Sequence, residues 1–278
     1  ATLTRGENFV EITSSATHPS ATLNCGESGL AIRMFSAITA LQDHEYILTA
    51  QGSLGARPMH MIEKPLQTLG VQCSTTNGHA PIRIRGPLVG GQVEVDASET
   101  SQFLTGLLMA LPLCADDSLV YVPQLKSTPY IAVTLSLLKD FGIIIEASDD
   151  FTRFDIPGGQ SYSPRSYRVE GDWSGAAFPL VAAALTGQLT VTDLNPNSTQ
   201  ADRAMLDALA LAGAHISVSG TSITVTKHPL SAFDFDATDC PDLFPPLAVL
   251  AMGCEGTSRI KGVSRLYHKE SDRATTVL

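Results

Sequence analysis

A structural plan that returns along the whole chain limits its fold more than any other feature. Four segments run from small and polar residues through an aromatic into a strongly apolar stretch. They are Gly26-Glu27-Ser28-Gly29 leading to Phe35, Ser98-Glu99-Thr100-Ser101-Gln102-Phe103, Gly171-Asp172-Trp173-Ser174 leading to Phe178, and Cys240-Pro241-Asp242-Leu243-Phe244. The phenylalanines at 35, 103, 178 and 244 stand 68, 75 and 66 residues apart. Strand-like runs at 92–95, 118–122, 189–193 and 222–226, together with second helices, fill the intervals. The unit therefore reads as β-α-β-α-β-β. Its period exceeds the ~20–50 residues of common solenoids, which favours α/β units that stack or sit radially.

The helices have clear punctuation. Thr128-Pro129 opens one, with proline at the first helical position, and Gly142 stops it after Phe141. Arg57-Pro58 opens another that closes at Gly70, and Ser198 or Thr199 caps a third that ends at Gly213. The stretches 102–113 and 176–185 are apolar nearly all round, the pattern of helices enclosed on every side. Helices inside and sheets outside follow from that pattern. The polar stretch 158–168, with Gly158-Gly159 and Pro164, reads as a joint between two lobes.

At 278 residues the chain is long enough for two domains, here placed at 1–166 and 167–278. Its net charge of −10 argues against nucleic acid or an anionic membrane as the main partner. An anionic substrate must then be held by a local cluster of Lys and Arg. The five cysteines are scattered with no CxxC pair, which suits reduced thiols in a cytoplasmic protein, not a disulfide frame or a zinc site. No secretory signal opens the chain, and no apolar run is long enough to span a bilayer. It begins at Ala1 without an initiator methionine and stops at Leu278 inside a helical pattern, so it reads as a fragment.

Several short motifs could carry chemistry. Lys269-Glu270-Ser271-Asp272-Arg273 packs two cations and two carboxylates together. On a helix Lys269 and Arg273 would share a face, with room for an anion between them and Glu270 beside it as a proton carrier. Ser98-Glu99-Thr100-Ser101-Gln102 and Lys126-Ser127-Thr128-Pro129-Tyr130 both sit at helix starts, where free N–H groups and hydroxyls suit a phosphate. Ordinary N-caps would look the same. Gly52-Ser53-Leu54-Gly55-Ala56-Arg57 delivers an arginine to a helix start, an awkward place for a cation unless an anion joins it. Asp242, after Pro241, is either a capping carboxylate or a base for a hydroxyl. The histidines show no metal-ligand spacing.

Together with Asn24-Cys25-Gly26-Glu27-Ser28-Gly29-Leu30-Ala31-Ile32-Arg33 and Ser101-Gln102-Phe103-Leu104-Thr105, these motifs resemble the enolpyruvylshikimate-phosphate synthases (3-phosphoshikimate 1-carboxyvinyltransferases) in order and spacing. The resemblance implies a two-domain inside-out α/β barrel built from repeated β-α-β-α-β-β units. It implies transfer of the enolpyruvyl group of phosphoenolpyruvate to shikimate 3-phosphate by a cytoplasmic monomer, with no metal or organic cofactor. Carried over by motif, Thr100, Ser101, Gln102, Ser127, Tyr130, Asp242 and Lys269 would hold shikimate 3-phosphate. Gly29, Arg57, Gln102 and Arg273 would surround phosphoenolpyruvate. Asp242 would take the hydroxyl proton, and Glu270 would serve the methylene carbon.

The chain departs from the family in places. Substrate-binding segments that members carry near both termini are not present in it. Thr100 stands where serine is common, and Arg265 stands where some relatives hold an asparagine. Two rival expectations remain: the related transferase acting on UDP-N-acetylglucosamine, and a non-catalytic anion-binding relative. The first usually places a cysteine where this chain has Gly52.

Overall fold

The computed structural model describes residues 2–13, 21–267 and 273–277. An exposed antiparallel hairpin of β1 (Thr2–Arg5) and β2 (Val10–Thr13) comes first. The next unit contains β3 (Thr22–Asn24), α1 (Gly29–Thr39), β4 (Glu45–Thr49), α2 (His60–Thr68), β5 (Gln72–Thr76) and β6 (His79–Arg85). A second contains β7 (Gln92–Glu94), α3 (Gln102–Ala110), β8 (Ser118–Tyr121), α4 (Thr128–Asp140), β9 (Glu146–Ala147) and β10 (Arg153–Ile156). Their sheets run β3-β4-β6-β5 and β7-β8-β10-β9, so the two units share both element order and topology. This is the repeat expected from the spacing of the aromatics.

The third unit is incomplete. It comprises α5 (Trp173–Thr186), β11 (Gln188–Val191), α6 (Met205–Leu211), β12 (His215–Ser219) and β13 (Ser222–Thr226), with sheet order β11-β13-β12. Among the described residues no first strand forms before α5; the backbone bond from Gly171 N–H to Asp193 O, 3.0 Å, stands in its place. The fourth comprises β14 (Asp234–Asp236), α7 (Phe244–Met252), β15 (Arg259–Lys261) and α8 (Arg273–Val277).

Each unit's opening pair of strands is parallel where both strands exist: β3 with β4, β7 with β8, and β14 with β15. Parallel neighbours need a crossover, and the helix between them supplies it. Both helices of a unit therefore start at the same edge of the sheet, side by side. The closing hairpins have local causes. Asn77 and Gly78, both at positive φ (53° and 80°), make the two-residue turn from β5 to β6.

Apolar burial falls into two clusters. One gathers Ile62, Phe103, Leu107 and Phe154, and the other Trp173, Leu180, Met205, Phe244 and Leu247. Helix α3 has no exposed residue, as its apolar sequence predicts. It crosses α1 closely, because a Cβ at Gly106 would lie 2.5 Å from the Met34 carbonyl oxygen. The expectation fails for α5. Gly175, Phe178 and Ala182 form an exposed face there, with Phe178 53% accessible. Nor does any sheet among the described residues close into a barrel; each is an open sheet of two to four strands.

Candidate functional site

In the second unit the parallel pairing continues past the strands. Val95 N–H donates to Tyr121 O (2.8 Å), Ala97 bridges Leu125, and Lys126 N–H donates to Ala97 O (3.3 Å). These bonds bring the start of α3 beside the start of α4. Ser101, 5% exposed, is the N-cap of α3, and Thr100 Oγ1 accepts from Gln102 N–H at 3.3 Å. Ser127, 7% exposed, is the N-cap of α4 and lies in the left-handed region at φ +61°. Such a conformation costs a non-glycine residue about 1–2 kcal/mol and tends to mark functional positions. Two sets of orphan helix N–H groups thus face one space.

That space is a cleft of about 590 Å³. Its polar wall carries Ser98, Thr100, Ser101, Gln102 and Ser127, flanked by Lys126, Glu99 and Tyr130. Leu30 and Met34 of α1 and Val133 of α4 form an apolar wall. Arg57 enters from the first unit, and Asp242 and Ser264 enter from the fourth. Thr100, Ser101, Gln102, Ser127, Tyr130, Arg57 and Asp242, all selected from sequence, therefore line one cavity. Lys269 and Glu270 lie outside the described residues.

Local structure explains how Arg57 arrives. A 3-10 turn over Gly52–Ala56 precedes it, and Arg57 N–H closes that turn onto Leu54 O at 3.1 Å. Gly52 adopts φ +54°, and a Cβ there would sit 2.4 Å from the Glu27 carboxylate. The Arg57 guanidinium lies against Gly29 at the start of α1. A Cβ at Gly29 would be 2.5 Å from Arg57 Nη1 and 2.9 Å from Arg33 Nη1. Glycine at this position lets both guanidinium groups approach the start of α1.

Asp242 joins the two halves of the chain. Its Oδ2 accepts from the Tyr130 hydroxyl at 3.3 Å, and its Oδ1 accepts from Arg273 Nη1 at 2.5 Å. Desolvation pushes the Tyr130 phenol well above its usual range, and the Asp202 and Asp242 carboxylates push it further. Tyr130 is therefore a hydrogen-bond donor at neutral pH, not a base. Burial, then the Asp202 charge, pushes the Cys240 thiol up to about 12, so it too stays protonated.

The arrangement suits an anionic ligand that also carries hydroxyls. Arg57 and Lys126 supply charge, the helix starts supply N–H donors, and Asp242 can accept a proton. Among the described residues no group of three or more His, Cys, Asp or Glu could hold a metal ion. Sequence reasoning missed the apolar wall, Ser264 and, above all, Arg33. The clue to Arg33 was a charge in the middle of an apolar helix, one turn after Gly29.

The family model for EPSP synthase (3-phosphoshikimate 1-carboxyvinyltransferase) matches residues 4–278. The 3-phosphoshikimate 1-carboxyvinyltransferase of Methanocorpusculum labreanum is 39% identical over 258 residues, 92% of this chain and 61% of that protein. The same enzyme of Clostridium novyi is 35% identical, covering 91% of this chain and 58% of that protein. The chain thus spans about three fifths of the length of these relatives. Among solved structures, EPSP synthase from Acinetobacter baumannii superposes with a TM-score of 0.75 at 27% identity, over 94% of this chain and 61% of that one. The enolpyruvyl transferase NikO of Streptomyces tendae shares the fold, with a TM-score of 0.52 at 14% identity, over 87% of this chain and 74% of that one.

Proposed function

The chain belongs to the EPSP synthase family, and from that premise we propose that its cleft takes shikimate 3-phosphate and phosphoenolpyruvate and serves enolpyruvyl transfer between them. The observation that carries this reading is the meeting of Arg57, Gln102, Ser127 and Asp242 in one cleft, although they are scattered over four helix starts. The phosphate of shikimate 3-phosphate takes the N–H groups and hydroxyls at Ser101, Gln102 and Ser127, with Thr100, Tyr130 and Lys269 around the rest of that ligand. The carboxylate and phosphate of phosphoenolpyruvate take Arg57 and Arg273, with Gly29 and Gln102 closing the site.

Phosphoenolpyruvate resists addition because its double bond must first gain a proton. In the proposed sequence Glu270 protonates the methylene carbon, and the 5-hydroxyl oxygen bonds to the neighbouring carbon while its proton passes to Asp242. Loss of phosphate and of a proton from the transient methyl group restores the double bond. Much of the rate then comes from positioning and preorganised charge. The Asp242 carboxylate already accepts from Tyr130 and Arg273, and the lone pairs on its two oxygens allow it to accept from the incoming hydroxyl as well.

The finer architecture belongs to the same reading. We take 1–166 and 167–278 as two lobes of an inside-out α/β barrel, each with one of the two apolar clusters as its core. The exposed face of α5 would then pack against a further part of that assembly. The rival specificity for UDP-N-acetylglucosamine is disfavoured at Gly52. Its positive φ favours glycine and would strain the cysteine that enzyme usually places there.

Calorimetry with shikimate 3-phosphate tests the reading, run on this chain and on a version extended to the length of its relatives. Tight binding by the extended protein, followed by phosphate release on adding phosphoenolpyruvate, is the expected result. An extended protein indifferent to both ligands overturns it.

A further inference from the structure

We propose, on the basis of that reading, that Arg33 is a positioning residue: it fixes the Gln102 side-chain amide with its NH2 group toward the cleft and anchors the backbone beside Arg57. Every nitrogen of a guanidinium is a donor and none is an acceptor. The atom that Arg33 Nη1 meets at 2.9 Å is accordingly the carbonyl oxygen of the Gln102 amide, Oε1. The amide nitrogen occupies the other prong of the same planar group, and Gln102 lines the cleft. Its two N–H bonds are left to serve a ligand anion. Were the amide reversed, two donors would face each other and the cleft would receive a carbonyl oxygen, which repels phosphate and carboxylate.

The other terminal nitrogen of Arg33 donates to the Pro58 carbonyl at 3.1 Å, one residue after Arg57. A single side chain, 2% exposed, thus ties together groups 69 and 25 residues away in sequence. Gln102 carries a proposed ligand contact, and Pro58 directly follows Arg57, which carries another. A buried cation is expensive unless it is hydrogen-bonded, and the middle of an apolar helix is a poor place for one without a purpose. A leucine or methionine would join α1 to α3 at lower cost.

Gly29 supports the same inference. The Arg33 and Arg57 guanidinium groups both crowd the point where a Cβ would stand, at 2.9 and 2.5 Å. Two like charges this close raise the local positive potential, which favours an anion in the cleft. Arg33 therefore adds its charge to the side proposed for phosphoenolpyruvate without touching the ligand.

The test uses Arg33→Met and Arg33→Lys in the protein extended to the length of its relatives. Kinetics vary phosphoenolpyruvate and shikimate 3-phosphate separately. We expect Arg33→Met to raise KM for phosphoenolpyruvate about ten- to a hundredfold, with a smaller change for shikimate 3-phosphate. Millimolar guanidinium should recover part of that loss, and equal ammonium should not. Arg33→Lys covers the case in which the methionine variant does not fold, because it keeps the charge but lacks the two-pronged fork. NMR of the Gln102 side-chain amide without ligand provides a readout independent of turnover. Its order parameter should fall in Arg33→Lys, toward the flexible range below ~0.6. If the parent enzyme is active, a folded Arg33→Lys with unchanged KM for phosphoenolpyruvate overturns the inference, and a lowered Tm alone reduces Arg33 to a brace. If the parent enzyme is inactive, the enzyme reading fails on its own account. The Gln102 amide then decides the question, and an unchanged order parameter overturns the role of Arg33.

Discussion

Arg273 Nη1 lies 2.5 Å from Asp242 Oδ1, across a pair whose side chains are 27% and 33% exposed. The contact links the start of α8 to the 3-10 turn before α7, and Tyr130 of α4 holds the other carboxylate oxygen. The proposed base thus sits where the second and fourth units of the fold meet.

Asp242→Asn keeps the shape and hydrogen-bonding capacity of the side chain but removes its charge and basicity. We expect turnover in the extended protein to fall about 10²–10⁴-fold, the usual worth of a positioned general base. Affinity for shikimate 3-phosphate should change far less. Rapid-quench turnover with parallel calorimetry measures both. A variant with near-native turnover would remove Asp242 from the chemistry.

Gly29→Ala introduces a methyl group 2.5 Å from Arg57 Nη1 and 2.9 Å from Arg33 Nη1. One or both guanidinium groups must move. A displacement of about 1 Å at a binding site can cost up to ~100-fold, so KM for phosphoenolpyruvate should rise by at least tenfold. Shikimate 3-phosphate binds at the other wall of the cleft and should be little affected. Separate titrations of the two ligands would show whether the effect is confined to one side.

Much of this was readable where the cause was local. Thr128-Pro129 and Gly142 mark the ends of α4 because proline and positive-φ glycine act within one turn. Ser198 reads as a helix cap, but its Oγ accepts from Gln200 N–H and holds a turn, so α6 starts only at Met205 after a 3-10 segment. Helix α5 was expected to be enclosed, since an all-apolar sequence does not say which of its faces finds a neighbour. The site was legible as separate helix starts. Their convergence depends on the parallel strand pairs, and the bond from Arg33 to Gln102 spans 69 residues. No local pattern encodes such a contact.

Ser127 offers a way to separate backbone strain from ligand contact. Its φ of +61° is easy for glycine and unfavourable for any other residue. Ser127→Gly relieves that strain but gives the unfolded chain more freedom, worth about 0.4–1 kcal/mol in the opposite direction. Net stability in urea should therefore shift by less than ~1 kcal/mol, while the loss of the hydroxyl weakens shikimate 3-phosphate binding. Ser127→Ala keeps the strain and loses the same hydroxyl. Equal weakening in the two variants would assign the effect to the hydroxyl; weakening in the glycine variant alone would assign it to the held backbone.

The buried thiols make stability depend on pH in the alkaline range. Burial raises Cys73 and Cys240 from 9.0 to about 12 and Cys114 to about 11. A raised folded value means that the native state retains a proton which the unfolded chain has already lost. Their contribution is thus fully present below pH ~9 and declines as pH rises toward the folded values, by about 1.4 kcal/mol per pH unit for each thiol. Urea unfolding of this chain should show stability falling from pH 9 to 11, with a shallower fall in Cys240→Ala, although that variant starts from a lower stability because it opens a small cavity. The same burial predicts slow alkylation of these three thiols by iodoacetamide at pH 8, relative to Cys25 and Cys254, which are less buried. Equal alkylation of all five cysteines in the native state would contradict the packing around Cys73, Cys114 and Cys240.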